Sequence, residues 1–369
     1  MYLVTQRFER ISGLAAAALC CLVAGCGGGA PGSSVTPPLP GANTSAALEE
    51  VPERTAAGLQ VFPLPIKGVP RWVIADGSTV WYDAQTSVGS VTKKGVVTAY
   101  PRGGFAGGAS SYGNPAIGPD GNIWFVGQIG ASTLGTSFIG HTTSAGGVVQ
   151  FPISTPVPGP GYADPCLGGI AAGSDGALWF TNGCAGYIGR ITTSGTVTAT
   201  YTTPATCGNV GAIVEGPDHN LWFTSACGLG RIVPATGAIT EFPIGGGIPY
   251  QIVVSAYHDL WFAYTIPPGA PNLYPTTGLG RITIAGTVKT YPLLQSFVGG
   301  ESIQGIAAGP DDDIWFTVAT YDALYAITQS GGSGPQVTVN ASPSGLVSVS
   351  DKNIWFADPE ASAIDSYTF

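Results

Sequence analysis

The chain has 369 residues, room for two or three domains or for one large all-β domain. Only 9% are charged, while 56 are glycine and 30 proline; with 44% apolar and 10% aromatic residues, this excludes wholesale disorder and fits many short strands joined by tight turns. The formal net charge is −9 and no basic run occurs, which excludes a nucleic-acid groove and a polybasic membrane patch.

Residues 1–25 carry Arg7 and Arg10 ahead of an apolar run from Ile11 to Gly25, too short to span a bilayer comfortably. The run ends in Val23-Ala24-Gly25-Cys26, small residues directly before a cysteine. This resembles the lipobox of bacterial lipoproteins, in which the cysteine thiol takes a diacylglycerol. It implies a signal peptide over 1–25, lipidation at Cys26 and a membrane anchor in the cell envelope; an ordinary secretory signal with a chance cysteine is the plainer alternative. Gly27 after the cysteine resembles outer-membrane sorting, with either side of that membrane open. Residues 26–58, rich in Gly, Pro and Ser, read as a flexible tether.

From residue 59 the chain repeats. Leu59-Gln60-Val61-Phe62-Pro63-Leu64-Pro65 reads as a strand with no partners before it. A tryptophan-aromatic pair then recurs at Trp81-Tyr82, Trp124-Phe125, Trp179-Phe180, Trp222-Phe223, Trp261-Phe262, Trp315-Phe316 and Trp355-Phe356, at spacings from 39 to 55 residues. Only Trp72 falls outside the set. Each pair follows a short apolar strand and a tight turn such as Asp175-Gly176, and precedes a third strand such as Ile188-Gly189-Arg190-Ile191 and a fourth such as Ile239-Thr240-Glu241-Phe242. Four strands per unit and seven units predict a seven-bladed β-propeller over 59–369, with each Trp packed between neighbouring blades. After Trp355 only one further strand fits before Phe369, so the strand near residue 60 is expected to complete the last blade and close the ring.

The long insertions, 102–113, 126–138, 154–167, 263–278 and 294–303, all fall on one face, which is where binding is expected; aromatic side chains such as Tyr112, Tyr162 and Phe297 lie in them. Four cysteines remain after Cys26: Cys166, Cys184, Cys207 and Cys227. Cys166 and Cys207 precede their tryptophans by similar intervals, and Cys184 and Cys227 each follow theirs by five residues, which favours pairs 166–184 and 207–227 in an oxidising compartment. A 184–207 bridge across the blade junction is the rival. Zinc is disfavoured, because no pair has knuckle spacing.

Three histidines and an acidic run invite chemistry and do not support it. His141 takes the third-strand arginine position, and His219 and His258 lie in turns of the opposite face. Asp311-Asp312-Asp313 falls in a turn without the spaced oxygen ligands of a calcium loop. Arg190, Arg231 and Arg281 recur at one blade position and read as exposed structural residues.

The repeated Gly-Pro-Asp-Gly-x-x-Trp-Phe, Ile-Gly-Arg-Ile and Thr-Glu-Phe-Pro text resembles the streptogramin B lyase (virginiamycin B lyase) family over nearly all of 59–369. The resemblance implies a catalytic centre on the loop-rich face, where a divalent cation such as Mg²⁺ polarises a lactone and a histidine removes a proton. This sequence departs from that set. Ser344 stands at the base histidine, Ser342 at the first metal-binding glutamate and Gln304 at a second histidine, while Asp358 keeps an acid at the other glutamate position. Serine and glutamine take up no proton near neutral pH, so the lyase mechanism is expected to be lost.

Residues before the innermost strands should line the mouth of the central channel: Arg71, Asn114, Asn209, Tyr250, Gln251, Glu301, Gln304 and Ser344, with Asp358 nearby. Mostly uncharged and partly aromatic, they suit a sugar, a peptide or another small molecule more than a metal. The expectation is a monomeric, non-catalytic binding propeller without a cofactor, its partner a small molecule, a glycan, a peptide or an envelope protein. The alternative is a metal-dependent lyase or lactonase in which Asp358 and Glu301 hold the cation.

Overall fold

A computed structural model describes residues 58–369 apart from 85–86, 102–113, 130–135, 144–146, 154–166, 205–206, 268–275, 294–301, 319–320, 340 and 350–351. The expected signal peptide and all but Gly58 of the expected tether lie outside the described residues, as do Cys26, Cys166, Glu301 and the aromatic residues of 102–113, 154–166 and 294–301.

Among the described residues, twenty-eight strands form seven four-stranded antiparallel sheets. β1 (Leu59–Pro63) stands ahead of blade 1, which is β2 (Pro70–Asp76), β3 (Thr79–Ala84), β4 (Ser87–Thr92) and β5 (Val97–Pro101). Blade 2 is β6 (Ala116–Ile117), β7 (Ile123–Ile129), β8 (Thr136–Thr142) and β9 (Val148–Ile153); blade 3 is β10 (Leu167–Ala172), β11 (Leu178–Asn182), β12 (Tyr187–Ile191) and β13 (Val197–Thr202). Blade 4 is β14 (Ile213–Glu215), β15 (Leu221–Ser225), β16 (Gly228–Ile232) and β17 (Ile239–Phe242); blade 5 is β18 (Ile248–Val254), β19 (Leu260–Ile266), β20 (Thr276–Ile282) and β21 (Val288–Pro292). Blade 6 is β22 (Ile303–Ala308), β23 (Ile314–Val318), β24 (Ala323–Ile327) and β25 (Ser333–Thr338); blade 7 is β26 (Ser344–Val349), β27 (Asn353–Asp358) and β28 (Ala363–Thr368), completed by β1. The architecture is a seven-bladed β-propeller.

The repeated residues have distinct physical jobs. Trp124, Trp179, Trp222, Trp261, Trp315 and Trp355 are fully buried, and each packs on the next blade, as Trp179 does on Ile213 and Leu221 and Trp261 on Ile303 and Ile306. Trp81 is half-buried and stacks on Tyr100. The aromatic after each tryptophan lies opposite a third-strand glycine in five blades, for example Phe180 opposite Gly189 and Phe223 opposite Gly230. A Cβ on Gly189 or Gly230 would come within 2.2 Å of the facing ring, so the glycine of Ile-Gly-Arg-Ile makes room for a core aromatic.

In blades 2, 3, 4 and 6 the turn aspartate does more than turn. Asp120, Asp175, Asp218 and Asp311 each accept a hydrogen bond from the indole Nε1 of the tryptophan four residues on, at 2.9–3.2 Å. Asp175 also takes the Arg190 guanidinium at 2.7 Å, Asp218 pairs with Arg231 at 3.7 Å, and Arg281 donates to Asp259 at 2.6 Å. The arginines expected to be exposed are therefore partly covered and ion-paired, because the neighbouring carboxylate gives the guanidinium a fixed partner over the ring; Arg231 lies 5.4 Å from the Trp222 centroid.

The ring closes as expected. β1 pairs antiparallel with β28, from Leu59 opposite Tyr367 to Pro63 opposite Ala363. Leu64 N–H donates to the Ser362 carbonyl at 2.9 Å, and the Ser362 hydroxyl donates to the Gly68 carbonyl at 2.8 Å. Phe62 stacks on Trp355 with centroids 5.1 Å apart.

Two of the expected insertions are shorter than read. β7 runs to Ile129 and β8 begins at Thr136, while β19 runs to Ile266 and β20 begins at Thr276. Much of 126–138 and 263–278 is therefore extended hairpin, continued because its Val, Ile, Thr and Phe residues keep pairing outward past the core.

Candidate functional site

The inner strands carry an irregularity at the same place in five blades. The register shifts between Pro70 and Trp72, Leu167 and Gly169, Pro249 and Gln251, Ile303 and Gly305, and Ser344 and Leu346. One extra residue is thus bulged: Arg71, Gly168, Tyr250, Gln304 and Gly345 respectively. A bulge bends the strand and re-aims its side chains, here where the chain crosses the channel mouth. Period-two alternation cannot foresee it.

In blades 5, 6, 7 and 1, which are consecutive around the ring, these segments line one cavity of about 820 Å³. Arg71, Tyr250, Gln251, Gln304 and Ser344 all line it, so five of the channel-mouth residues expected from sequence come together. Its other walls come from strand ends and connections of the same face, including Thr265, Ser302, Ser342 and Glu360.

Much of this surface is held by cross-blade hydrogen bonds. The Ile303 N–H donates to the Tyr250 hydroxyl at 2.9 Å, and Gln251 Nε2 donates to the Gln304 carbonyl at 3.0 Å, tying blade 5 to blade 6. Gln304 Nε2 donates to Ser302 Oγ at 2.7 Å, and Ser344 Oγ to the Arg71 carbonyl at 3.4 Å. Gly345 has φ +41°, and a Cβ there would lie 2.2 Å from that same carbonyl, so the blade 7 inner strand needs glycine to approach blade 1. Burial raises the Tyr250 pKa against the hydrogen bonds that would lower it, so its hydroxyl stays neutral near pH 7. Gln251 is 6% exposed, and its amide oxygen has no partner among the described residues.

Of the other expected residues, Glu301 lies outside the described residues, and Asn114, Asn209 and Asp358 are not brought in. Asn114 is half-buried and Asn209 exposed, the latter with φ +64°, and neither lines the cavity. In blades 3 and 4 the positions equivalent to Arg71 and Tyr250 are Gly168 and Gly211, where a Cβ would be 2.8 Å from Gly211 Cα and 2.7 Å from Thr224 Oγ1. The polar lining is therefore a sector rather than a full ring. Asp358 is buried, and its Oδ1 accepts from the Glu360 and Ala361 amides at 3.1 Å each, capping the turn instead of facing the cavity. Trp72, Thr265, Ser302 and Glu360 were missed; for Trp72 the signal was there, since it alone breaks the tryptophan repeat.

Among the described residues no three His, Cys, Asp or Glu side chains gather in a way that could hold a metal ion. His141 packs on Trp124 with ring centroids 4.5 Å apart, while His219 and His258 sit at φ +58° and +61° in turns where blades 1, 2 and 3 have Gly77, Gly121 and Gly176. Cys207 and Cys227 form the expected disulfide. Cys184 is also disulfide-bonded, and Cys166 lies outside the described residues.

Solved structures place this geometry among known proteins. Virginiamycin B lyase from Staphylococcus aureus matches with 25% identity and a TM-score of 0.67, covering 84% of this chain and 99% of that one. The same enzyme in a catalytically inactive form with quinupristin matches equally well. The extracellular domain of a hybrid two-component system from B. thetaiotaomicron, at 14% identity and a TM-score of 0.63 over 85% of this chain and 43% of that one, shares the fold. No curated protein matches the chain. The sequence model of the virginiamycin B lyase family matches residues 54–268 and 167–369, which together span the whole blade repeat, and the chain belongs to the virginiamycin B lyase family.

Proposed function

We propose that this protein is a non-catalytic binding propeller, anchored in the cell envelope through Cys26, that takes a ligand at the channel mouth between blades 5 and 1. The observation that carries the reading is the cavity itself: neutral hydrogen-bonding side chains, prearranged by cross-blade bonds, occupy the positions where the family resemblance calls for an imidazole base and a metal-binding carboxylate. Ser344 and Gln304 offer donors and acceptors but no group that takes up a proton near pH 7. A relative solved with quinupristin supports use of this scaffold for an organic ligand. A pre-formed concave site of this size with a few fixed polar groups is what small-molecule recognition requires.

The test is to probe glycan and peptide arrays with the full chain and with Gln304→Ala. Binding that the variant loses at least about tenfold, without change in the presence of Mg²⁺, supports the reading. Mg²⁺-dependent turnover of quinupristin by the wild-type chain overturns it in favour of an enzyme. For the anchor, Cys26→Ser is expected to move the protein from the membrane to the soluble fraction; an unchanged distribution refutes lipid attachment.

A further inference from the structure

Seven of the eight tryptophans are accounted for by the blade repeat, and the eighth is at the cavity. Trp72 follows the bulged Arg71 on β2, is half-buried, and lines the same space. Its equivalents in blades 3 and 6 are Gly169 and Gly305, where a Cβ would meet Ile213 N at 3.2 Å and Leu346 N at 2.9 Å of the next inner strand. The next inner strand after blade 1, β6, is only Ala116–Ile117. A large flat side chain thus stands where blades 3 and 6 have glycine, blade 4 has Ala212 and blade 5 has Gln251.

Arg71 stands beside it. It is exposed, its guanidinium makes no ion pair or hydrogen bond with the described residues, and it is the one cation among the described lining. That is notable in a chain with 13 basic residues against 22 acidic ones, where the repeated arginines 190, 231 and 281 are all paired. The remaining polar lining, Ser302, Ser342, Ser344, Gln304 and Thr265, is hydroxyl and amide, groups able to donate and accept toward a partner that does both. Among the described lining Glu360 is the single acidic residue, and it is exposed.

We infer that the channel mouth selects an acidic saccharide: Arg71 takes the carboxylate of a uronic-acid ring, Trp72 stacks on a sugar face, and the serine and glutamine groups read the hydroxyls. The inference rests on the binding reading above and adds the ligand class to it. A guanidinium fork matches a carboxylate with two parallel hydrogen bonds, and hydroxyl and amide groups that donate and accept suit sugar hydroxyls, which do both. The volume admits a short oligosaccharide.

The experiment is a calorimetric titration of the full chain with trigalacturonate, with a neutral galactose trisaccharide of equal length, and with a short peptide bearing a free C-terminal carboxylate. Trigalacturonate is expected to bind at least about tenfold more tightly than the neutral sugar, with the difference shrinking as salt rises. Arg71→Ala should abolish the preference and Arg71→Lys should restore part of it, because the charge returns without the fork. Trp72→Ala should weaken both sugars, and Glu360→Gln should strengthen only the acidic one. Equal binding of both sugars overturns the carboxylate assignment while leaving the binding reading intact. Binding of the peptide alone overturns the saccharide class with the same consequence. Failure of all three probes, together with blank arrays, removes the binding reading as well.

Discussion

Single side chains decide how each blade is keyed. The indole ring fills the gap between sheets, but its N–H needs an acceptor once buried; in blades 2, 3, 4 and 6 the turn aspartate four residues earlier supplies it, and in blade 5 Gln329 does. Burial opposes ionisation of Asp120, Asp175 and Asp218, yet the hydrogen bonds they accept outweigh it and hold each pKa below the ordinary carboxylate value. These carboxylates therefore add stability above the unfolded-state pKa, near 4, and lose it as the pH falls through their lower folded values. Asp218→Ala strips the acceptor from Trp222 and the partner from Arg231, and should cost about 1–3 kcal/mol in thermal unfolding at pH 7. A midpoint unchanged from wild type would show that water serves the indole equally well.

At the level of the strand, blade 7 departs from its siblings. The third-strand position facing the core aromatic is glycine in five blades and Tyr325 in blade 6; in β28 it is Asp365, opposite Phe356. Asp365 is 1% exposed, neither carboxylate oxygen has a partner among the described residues, and burial together with the nearby Asp358 carboxylate pushes its pKa up to about 7. A raised folded pKa means stability that is full below the unfolded value and is lost as the pH rises through about 7. Wild-type protein should unfold at lower temperature at pH 8 than at pH 5, whereas Asp365→Asn should flatten that slope and gain on the order of 2–4 kcal/mol at pH 8. The measurement is a series of melting curves from pH 4 to 9; parallel curves for the two proteins would dismiss Asp365 as the titrating group.

The whole ring depends on joining its two ends. Leu64, just beyond β1, is 3% exposed and packs with Val73, Val80 and Tyr82 of blade 1 and with Trp355 and Ile364 of blade 7. Closure therefore has an apolar seam besides the β1–β28 ladder, and β1 covers the edge that β28 would otherwise present. Leu64→Ala should cost about 2–4 kcal/mol and speed amide exchange in β1 and β28 ahead of the other blades. Uniform exchange across all seven blades would show that the seam is not the weak point. The Cys207–Cys227 bridge ties the connection entering blade 4 to the β15–β16 hairpin, a local staple rather than a closure device.

The blade count, the ring closure, the Cys207–Cys227 pair and five of the cavity residues were legible in the residue order, because a strand repeat with a tryptophan at a fixed place admits few three-dimensional readings. The sequence also held the substitutions Ser344 and Gln304, since aligned repeats expose any blade that breaks the pattern. What it did not hold was which blades share a cavity. Each inner strand looks equivalent on paper, but the bulges turn Arg71, Tyr250 and Gln304 to the channel mouth, while Gly168 and Gly211 leave their blades without a side chain there. The same limit hid the pairing of the arginines and the turn-capping role of Asp358. Sequence periodicity fixes the repeating unit, whereas the gap between neighbouring units is set only when all seven pack together, and that gap decides which side chain has room to meet a ligand.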